Sequence, residues 1–208
     1  MSLETIQIEH VPATHRVHVA LFRDVSNADF LQSQLLARNA DFEYAFIDAS
    51  SVASRLQLLS AVYRALTNLI DGTLQTNNVH SEVVISLSPS NNIAEAYRRW
   101  GITLGKTKDI VVAKIIYPPS LPSPSEDSTA PAPTLPTTED IWAHLSENVK
   151  GTPVPLSDEQ ISKSTDWPKL RKYYALNGLP VLAKITDEAA KVKEMERLII
   201  MRMALRGL

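Results

Sequence analysis

From Val17 to Tyr117 the chain alternates between two hydrophobic periods. Short β-rich runs at Val17–Phe22, Glu43–Ile47, Glu82–Leu87 and Ile110–Tyr117 have strand length and are bounded by polar or turn residues. The last is apolar apart from Lys114, the pattern of a strand covered on both faces. Helical patterns lie between them. Ser26 can cap a helix carrying Ala28, Leu31 and Leu35 on one face. Ser54, with Gln57 three positions on, reads as a capping box. It opens the longest internal helix, with Leu56, Leu59, Tyr63, Leu66 and Ile70 in one stripe and Gly72 as its stop. Asn92, followed by Glu95, starts a short third helix that ends at Gly101. This alternation predicts an α/β fold with a central sheet of about four strands flanked by helices. The connection lengths leave strand order and direction open.

Residues 118–137 interrupt the pattern. Seven of the thirteen prolines fall there (Pro118, Pro119, Pro122, Pro124, Pro131, Pro133 and Pro136), among Ser, Thr and Ala. Proline cannot donate to a ladder, and so little apolar surface does not offset the entropy of ordering, so a flexible Pro-rich insertion is expected. A single domain of core 16–117 and 138–208 then surrounds it. Helical segments follow at Thr138–Asn148, Asp158–Ser162 and Trp167–Tyr174, giving a helical C-terminal part. The last long helix starts near Thr186, with Asp187 and Glu188 at its positive end. Val192, Met195, Ile199 and Met203 make one apolar stripe, which Leu198, Ile200, Met201 and Leu205 widen almost all round. Either the helix is sunk deep in the core, or a second apolar face meets another protein.

Composition narrows the function classes. The 208 residues contain no cysteine, which removes disulfides, a thiol nucleophile and Cys-based zinc sites. That suits a reducing compartment, so nucleus and cytoplasm are expected. Met1–His10 has neither the basic start nor the apolar stretch of a secretory signal, and no apolar run is of membrane-spanning length. Net charge is −2, too little for a strong field over the whole molecule. From Lys163 to Leu208, however, ten Lys/Arg face five Asp/Glu. That excess is either a solvated helical surface or a modest basic face for phosphates or an acidic partner.

Catalytic signatures are missing. Gly101, Gly105, Lys106 and Thr107 spell G-x-x-x-G-K-T, one residue short of a phosphate-binding loop. The segment also runs from helix to strand, the reverse of what that loop requires. The five histidines (His10, His15, His18, His80 and His144) show no metal-ligand spacing, and no serine sits in a nucleophile elbow. Six glycines leave little material for loops shaped around a cofactor. No catalytic residue, metal or cofactor is expected. A hydrolase using His80 or His144 is the remaining enzymatic alternative.

One stretch has binding chemistry. In Leu87-Ser88-Pro89-Ser90-Asn91-Asn92-Ile93 a tight polar turn leads into a helix. A helix start offers unpaired N–H groups and a positive dipole end, which suit an anion. Ile93 and Tyr97, one turn apart, add apolar and aromatic surface. Together these are ingredients for a single-stranded nucleotide. The competing interpretation is a self-capped helix whose Ile93, Tyr97 and Trp100 pack inward.

The Leu87-Ser88-Pro89, Asn92-Ile93, Ala96-Tyr97 and Trp100-Gly101-Ile102 run resembles the signature of the PRPK-binding protein (TPRKB/CGI-121) family, with its fungal and archaeal relatives. Ala20-Leu21-Phe22, Ala45-Phe46-Ile47-Asp48, Ala61-Val62-Tyr63-Arg64, Ser81-Glu82 and Leu205-Arg206-Gly207-Leu208 match in the family's order. The match covers about 16–117 and, more loosely, 138–208. The 118–137 stretch looks like an insertion beyond compact members, and the chain ends Gly-Leu where relatives commonly end Gly-Val.

The resemblance implies a small α/β subunit of the KEOPS (EKC) complex, without activity of its own. That complex places threonylcarbamoyl on an adenosine beside the tRNA anticodon. The subunit would dock on the kinase-like ATPase subunit, meet other KEOPS subunits indirectly, and grip the single-stranded CCA end of tRNA. Carried onto this sequence, the RNA contact falls first on Asn91, Asn92 and Ile93, with Tyr97 beside them. Arg206 and Gly207 in the tail, with Arg202 on the basic helix, come second. The kinase contact falls on Leu59 and Tyr63 or on exposed parts of the third helix such as Arg98. A protein-only scaffold that regulates the kinase subunit without touching RNA is the alternative.

Overall fold

A computed structural model describes residues 2–118 and 135–206. Most of the 118–137 stretch, Gly207 and Leu208 therefore lie outside the described residues, and so does the expectation of a flexible insertion.

The sheet is built around β2 (Arg16–Arg23) and β4 (Ile110–Ile116), paired antiparallel from Arg16↔Ile116 to Phe22↔Ile110. β3 (Ala45–Asp48) lies outside β4, and the short β1 (Glu4–Ile6) lies outside β2. β5 (Thr152–Val154) extends that same side of β2 through Leu21–Arg23. Every pairing is antiparallel. Alternation along the pleat sends Val17, Val19, Leu21, Val111, Ala113 and Ile115 into one core and Ala20, Phe22, Ile110, Val112 and Ile116 into a second. Both strands are thus covered on both faces, as the continuous apolar pattern of β4 predicts.

The second face is covered by α1 (Ala28–Leu36) and α5 (Thr138–Asn148), through Leu31, Ile141 and Leu145. The first face carries α2 (Arg55–Ile70), α3 (Val79–Ser86) and α4 (Ile93–Trp100). Behind them come α6 (Asp158–Ser164), α7 (Trp167–Tyr173), α8 (Pro180–Ala183) and α9 (Glu188–Ala204). Among the described residues, no helix is long and apolar enough to cross a membrane.

Four local expectations are corrected. The 82–87 run is not a strand but most of α3. Asn78 caps this helix by accepting from the Ser81 N–H (2.8 Å), and all of it except Ser81 is buried. A short apolar run of Val and Ile buried all round reads alike as strand or helix. The expected stripe on α2 is split: Leu56, Tyr63 and Ile70 are exposed and Leu59 is half-buried, whereas Leu66 is fully buried. The inward side holds Leu58, Ala61, Val62, Ala65 and Leu66, where small alanines let the helix approach the sheet. The Ser54 cap forms through the Gln57 N–H (3.0 Å), but the Gln57 side chain turns inward to Ala53 N (2.6 Å) and the Tyr174 hydroxyl (2.7 Å). Asn27, not Ser26, precedes α1, and its side chain holds the 148–150 segment instead of capping.

Other signals hold. Gly72, at φ +66°, ends α2, with Thr73 N–H reaching back to Asn68 O (2.8 Å). On α9, Met195, Ile199 and Met203 are buried while Val192, Met201 and Leu205 are exposed, so one stripe is sunk and apolar side chains remain outside.

Candidate nucleic-acid and partner interface

The polar turn after α3 is held from three directions. Asn92 Oδ1 accepts from Glu95 N–H (3.0 Å), so α4 starts where the sequence predicts. Ser88 Oγ accepts from Ser90 N–H (3.1 Å) and closes the turn. Leu87 O accepts from the buried Tyr174 hydroxyl, which ties the turn to the end of α7.

A further restraint comes from the other end of the chain. Arg206 is 5% exposed, and its guanidinium spends its donors inside the protein. Nε donates to Asn91 Oδ1 (3.1 Å), Nη1 to Ile85 O (2.5 Å) and Nη2 to Gln75 Oε1 (2.9 Å). Ile85 O belongs to the last turn of α3, whose carbonyls have no intrahelical partner, so Arg206 acts as a C-terminal cap delivered from distant sequence. Arg64 on α2 does the same for α9, donating to Met203 O (2.7 Å) and Arg206 O (3.2 Å). Burial, then the neighbouring Arg64, lowers the Arg206 pKa, against the opposing pull of Glu82.

Glu82, itself buried, orders the strip between α2 and α3. Its carboxylate accepts from Asn68 Nδ2 (2.9 Å), Gln75 N–H (3.0 Å), Thr76 N–H (3.0 Å) and Thr76 Oγ1 (2.8 Å). Such a carboxylate has most of its acceptor positions filled.

The exposed remainder is compact. Asn91 and Asn92 are exposed at the helix start, Ile93 is half-buried against the core, and Tyr97 is 38% exposed one turn later. Arg98 is also exposed, within 3.8 Å of Glu95. Trp100 is fully buried against Tyr173 and Tyr174, so of the inward-packing alternative only Trp100 follows it completely. Arg202 is half-buried, with Nη2 3.5 Å from Ala175 O. The structure thus brings Asn91, Asn92 and Arg206 together. Leu59 and Tyr63 lie instead on the outward face of α2, with Tyr63 45% exposed. Gly207 lies outside the described residues.

The histidines serve packing and pairing. His80 is buried, and its Nε2 accepts from Ile115 N–H (3.0 Å) beyond the end of β3. His144 Nδ1 meets the Tyr44 hydroxyl (3.0 Å), with the two rings stacked. The G-x-x-x-G-K-T segment is the turn between α4 and β4, where Thr107 Oγ1 accepts from Thr103 N–H (2.9 Å). Among the described residues there is no group of three or more His, Asp or Glu able to hold a metal. Sequence reasoning missed Arg64 and Gln75; Arg64 stood in a quoted family piece, but nothing local marks either as a partner of the tail.

Comparison with known proteins adds to this geometry. Residues 22–207 match the family model described as kinase binding protein CGI-121. A Neurospora crassa protein named EKC/KEOPS complex subunit cgi121 is 57% identical over 210 residues, covering 100% of both chains. A Gibberella zeae protein of the same name is 57% identical over 207 residues, again with 100% of both chains covered. The Aspergillus fumigatus counterpart is 42% identical, covering 100% of this chain and 98% of its own. By the span of the family match and the identity to full-length relatives, the chain belongs to the CGI-121 family of kinase-binding proteins.

Proposed function

We propose that this chain is a non-catalytic subunit of the EKC/KEOPS complex that recruits tRNA by its single-stranded CCA end and holds the complex's kinase-like subunit. It thereby supports threonylcarbamoyl modification of tRNA, in nucleus and cytoplasm. The observation that carries the RNA part is the Arg206–Asn91 hydrogen bond, which joins the two separately inferred segments into one surface. The start of α4 there supplies backbone N–H groups and a positive dipole end for phosphate. Ile93 and Tyr97 supply apolar and aromatic contact for an unstacked base. Arg206 contributes by fixing the turn, since its own donors are engaged. Arg202 and Gly207 belong to the same RNA contact in this reading. The test is fluorescence anisotropy with one tRNA, intact and lacking its CCA end. Binding that needs the CCA supports this reading, and equal or absent binding to both rejects it.

The kinase contact is assigned to the outward row of α2, with Leu56, Leu59 and Tyr63 as an apolar stripe for a partner face. That same row, with a net charge of only −2, favours a second reading in which the protein is a scaffold for the kinase subunit alone. Retained kinase binding with no RNA affinity is its signature.

A further inference from the structure

Asn177-Gly178 is the one Asn-Gly pair in the sequence. It occupies the turn between α7 and α8, and both residues are exposed. Leu176 before it and Leu182 beyond it are buried, so the turn is a tip anchored in the core on both sides. The tip itself is loosely closed. Ala175 and Gly178 both have positive φ (48° and 77°), and the bond across the turn, from Leu179 N–H to Leu176 O, is 3.5 Å long, at the outer limit of a hydrogen bond.

The groups that could react there are free. Among the described residues, no hydrogen bond engages the Gly178 N–H or the Asn177 carboxamide. By contrast, Asn27, Asn68, Asn78, Asn91 and Asn92 are tied into tethers and caps. Nor does a side chain shield the Gly178 nitrogen: glycine carries none, and a Cβ built there would meet nothing within 4 Å.

We propose that Asn177 is a modification site, at which the chain converts its own asparagine to aspartate and isoaspartate through a succinimide. The Gly178 N–H gives its proton to hydroxide and the nitrogen attacks Asn177 Cγ. The N–Cγ bond forms, the Cγ–Nδ2 bond breaks, and ammonia leaves. Water then opens the ring. Attack at Cγ restores the ordinary backbone with an aspartyl side chain, whereas attack at the main-chain carbonyl leaves the chain running through the side chain as isoaspartate. The sum is asparagine plus water giving aspartate or isoaspartate plus ammonia, with no oxidant, metal or partner.

Asp71-Gly72 provides a comparison within the same molecule. Gly72 also has positive φ (66°) and is exposed, but its N–H donates to Leu69 O (3.2 Å) at the end of α2. Its would-be nucleophile is therefore engaged, and a carboxylate is a poorer electrophile than the Asn177 amide. At Asn177 the conversion adds a negative charge, and isoaspartate also adds a backbone carbon, in the turn whose Ala175 O lies 3.5 Å from Arg202 Nη2. It changes the charge beside Arg202 with the age of the molecule.

The full chain, incubated in mildly alkaline buffer at body temperature both folded and in urea, is sampled by peptide mass spectrometry. In the folded arm a one-dalton gain is expected in the peptide spanning Asn177-Gly178. Chromatography should resolve it into aspartyl and isoaspartyl forms, with the isoaspartyl form in excess. Asn177→Gln, an exposed change that leaves the core untouched, should abolish the gain, because the longer side chain must close a larger and slower-forming ring. Conversion in urea but not in the folded chain would overturn the proposal, since the native turn would then protect the pair. So would conversion at equal rates in the other asparagines, or an isoaspartyl signal at Asp71-Gly72 equal to that at Asn177. None of these readouts involves RNA, so this inference and the RNA-end reading stand or fall separately.

Discussion

Arg206 Nε donates to Asn91 Oδ1 across 3.1 Å, joining the last described residue of the chain to the turn that begins α4. The bond is one of three from a single guanidinium, and each acceptor lies on a different segment: the α2–α3 strip, the end of α3 and the turn itself. Arg206→Ala is expected to lower stability by about 2–4 kcal/mol, because three hydrogen bonds from a charged, buried guanidinium are lost together. Urea unfolding measures it. Asn91→Ala, which removes one bond, should lose about 1 kcal/mol. If Arg206→Ala unfolds at the wild-type midpoint, the clamp is not structural.

Asn92 separates capping from anion binding. Asn92→Asp keeps the side-chain acceptor for Glu95 N–H and adds negative charge at the positive helix end, so stability should hold or rise slightly. RNA affinity should fall, because the same charge opposes a phosphate. Asn92→Ala should cost about 1 kcal/mol of stability through the lost cap. Thermal melts alongside anisotropy read both effects, and unchanged tRNA affinity in Asn92→Asp counts against a phosphate at this turn.

Tyr63 and Leu59 face outward, so charge there should leave the fold intact while breaking a protein contact. Leu59→Glu with Tyr63→Glu is expected to weaken kinase-subunit binding by more than about tenfold, the scale for truncating interface anchors. Calorimetric titration against the purified kinase subunit decides it, with tRNA binding as the internal control.

Acid should destabilise the protein in a defined window. His80, held near pKa 3 by burial, stays neutral when folded but takes up a proton near pH 6.5 when unfolded, and burial lowers the His18 pKa in the same sense. Below pH 6.5 the unfolded state therefore binds more protons, and stability falls as pH drops toward the folded pKa. The slope approaches about 1.4 kcal/mol per pH unit for His80, and His18 adds in the same direction. Urea midpoints at pH 7, 6, 5 and 4 trace this loss, and His80→Gln should flatten the profile if it folds.

The parts of this molecule that were legible in sequence are those decided locally. Asn92 with Glu95, the Gly72 stop and the β4 run are each set by neighbours within a few positions, and all three stand as read. The 82–87 run failed because burial on all sides erases the period that separates strand from helix; the only local clue was Asn78 as a cap. The α2 stripe failed for a different reason. Its large apolar residues were real, but the core took the face with Ala61 and Ala65, and periodicity alone does not say which of two apolar faces turns inward. At the candidate site, Arg206 was legible as a basic tail residue yet not as a cap, since its acceptors at Ile85 and Gln75 are set by the tertiary fold.

The reciprocal arginine caps also impose an order on biogenesis. Ile85 and Asn91 leave the ribosome long before Arg206 is synthesised, so a nascent chain can build its sheet and most helices while the turn before α4 still lacks its clamp. Contacts this distant in sequence close late, after nearer ones have reduced the loop entropy. The candidate RNA surface is therefore among the last features to mature, and a prematurely terminated chain would carry the outward row of α2 without a finished turn before α4.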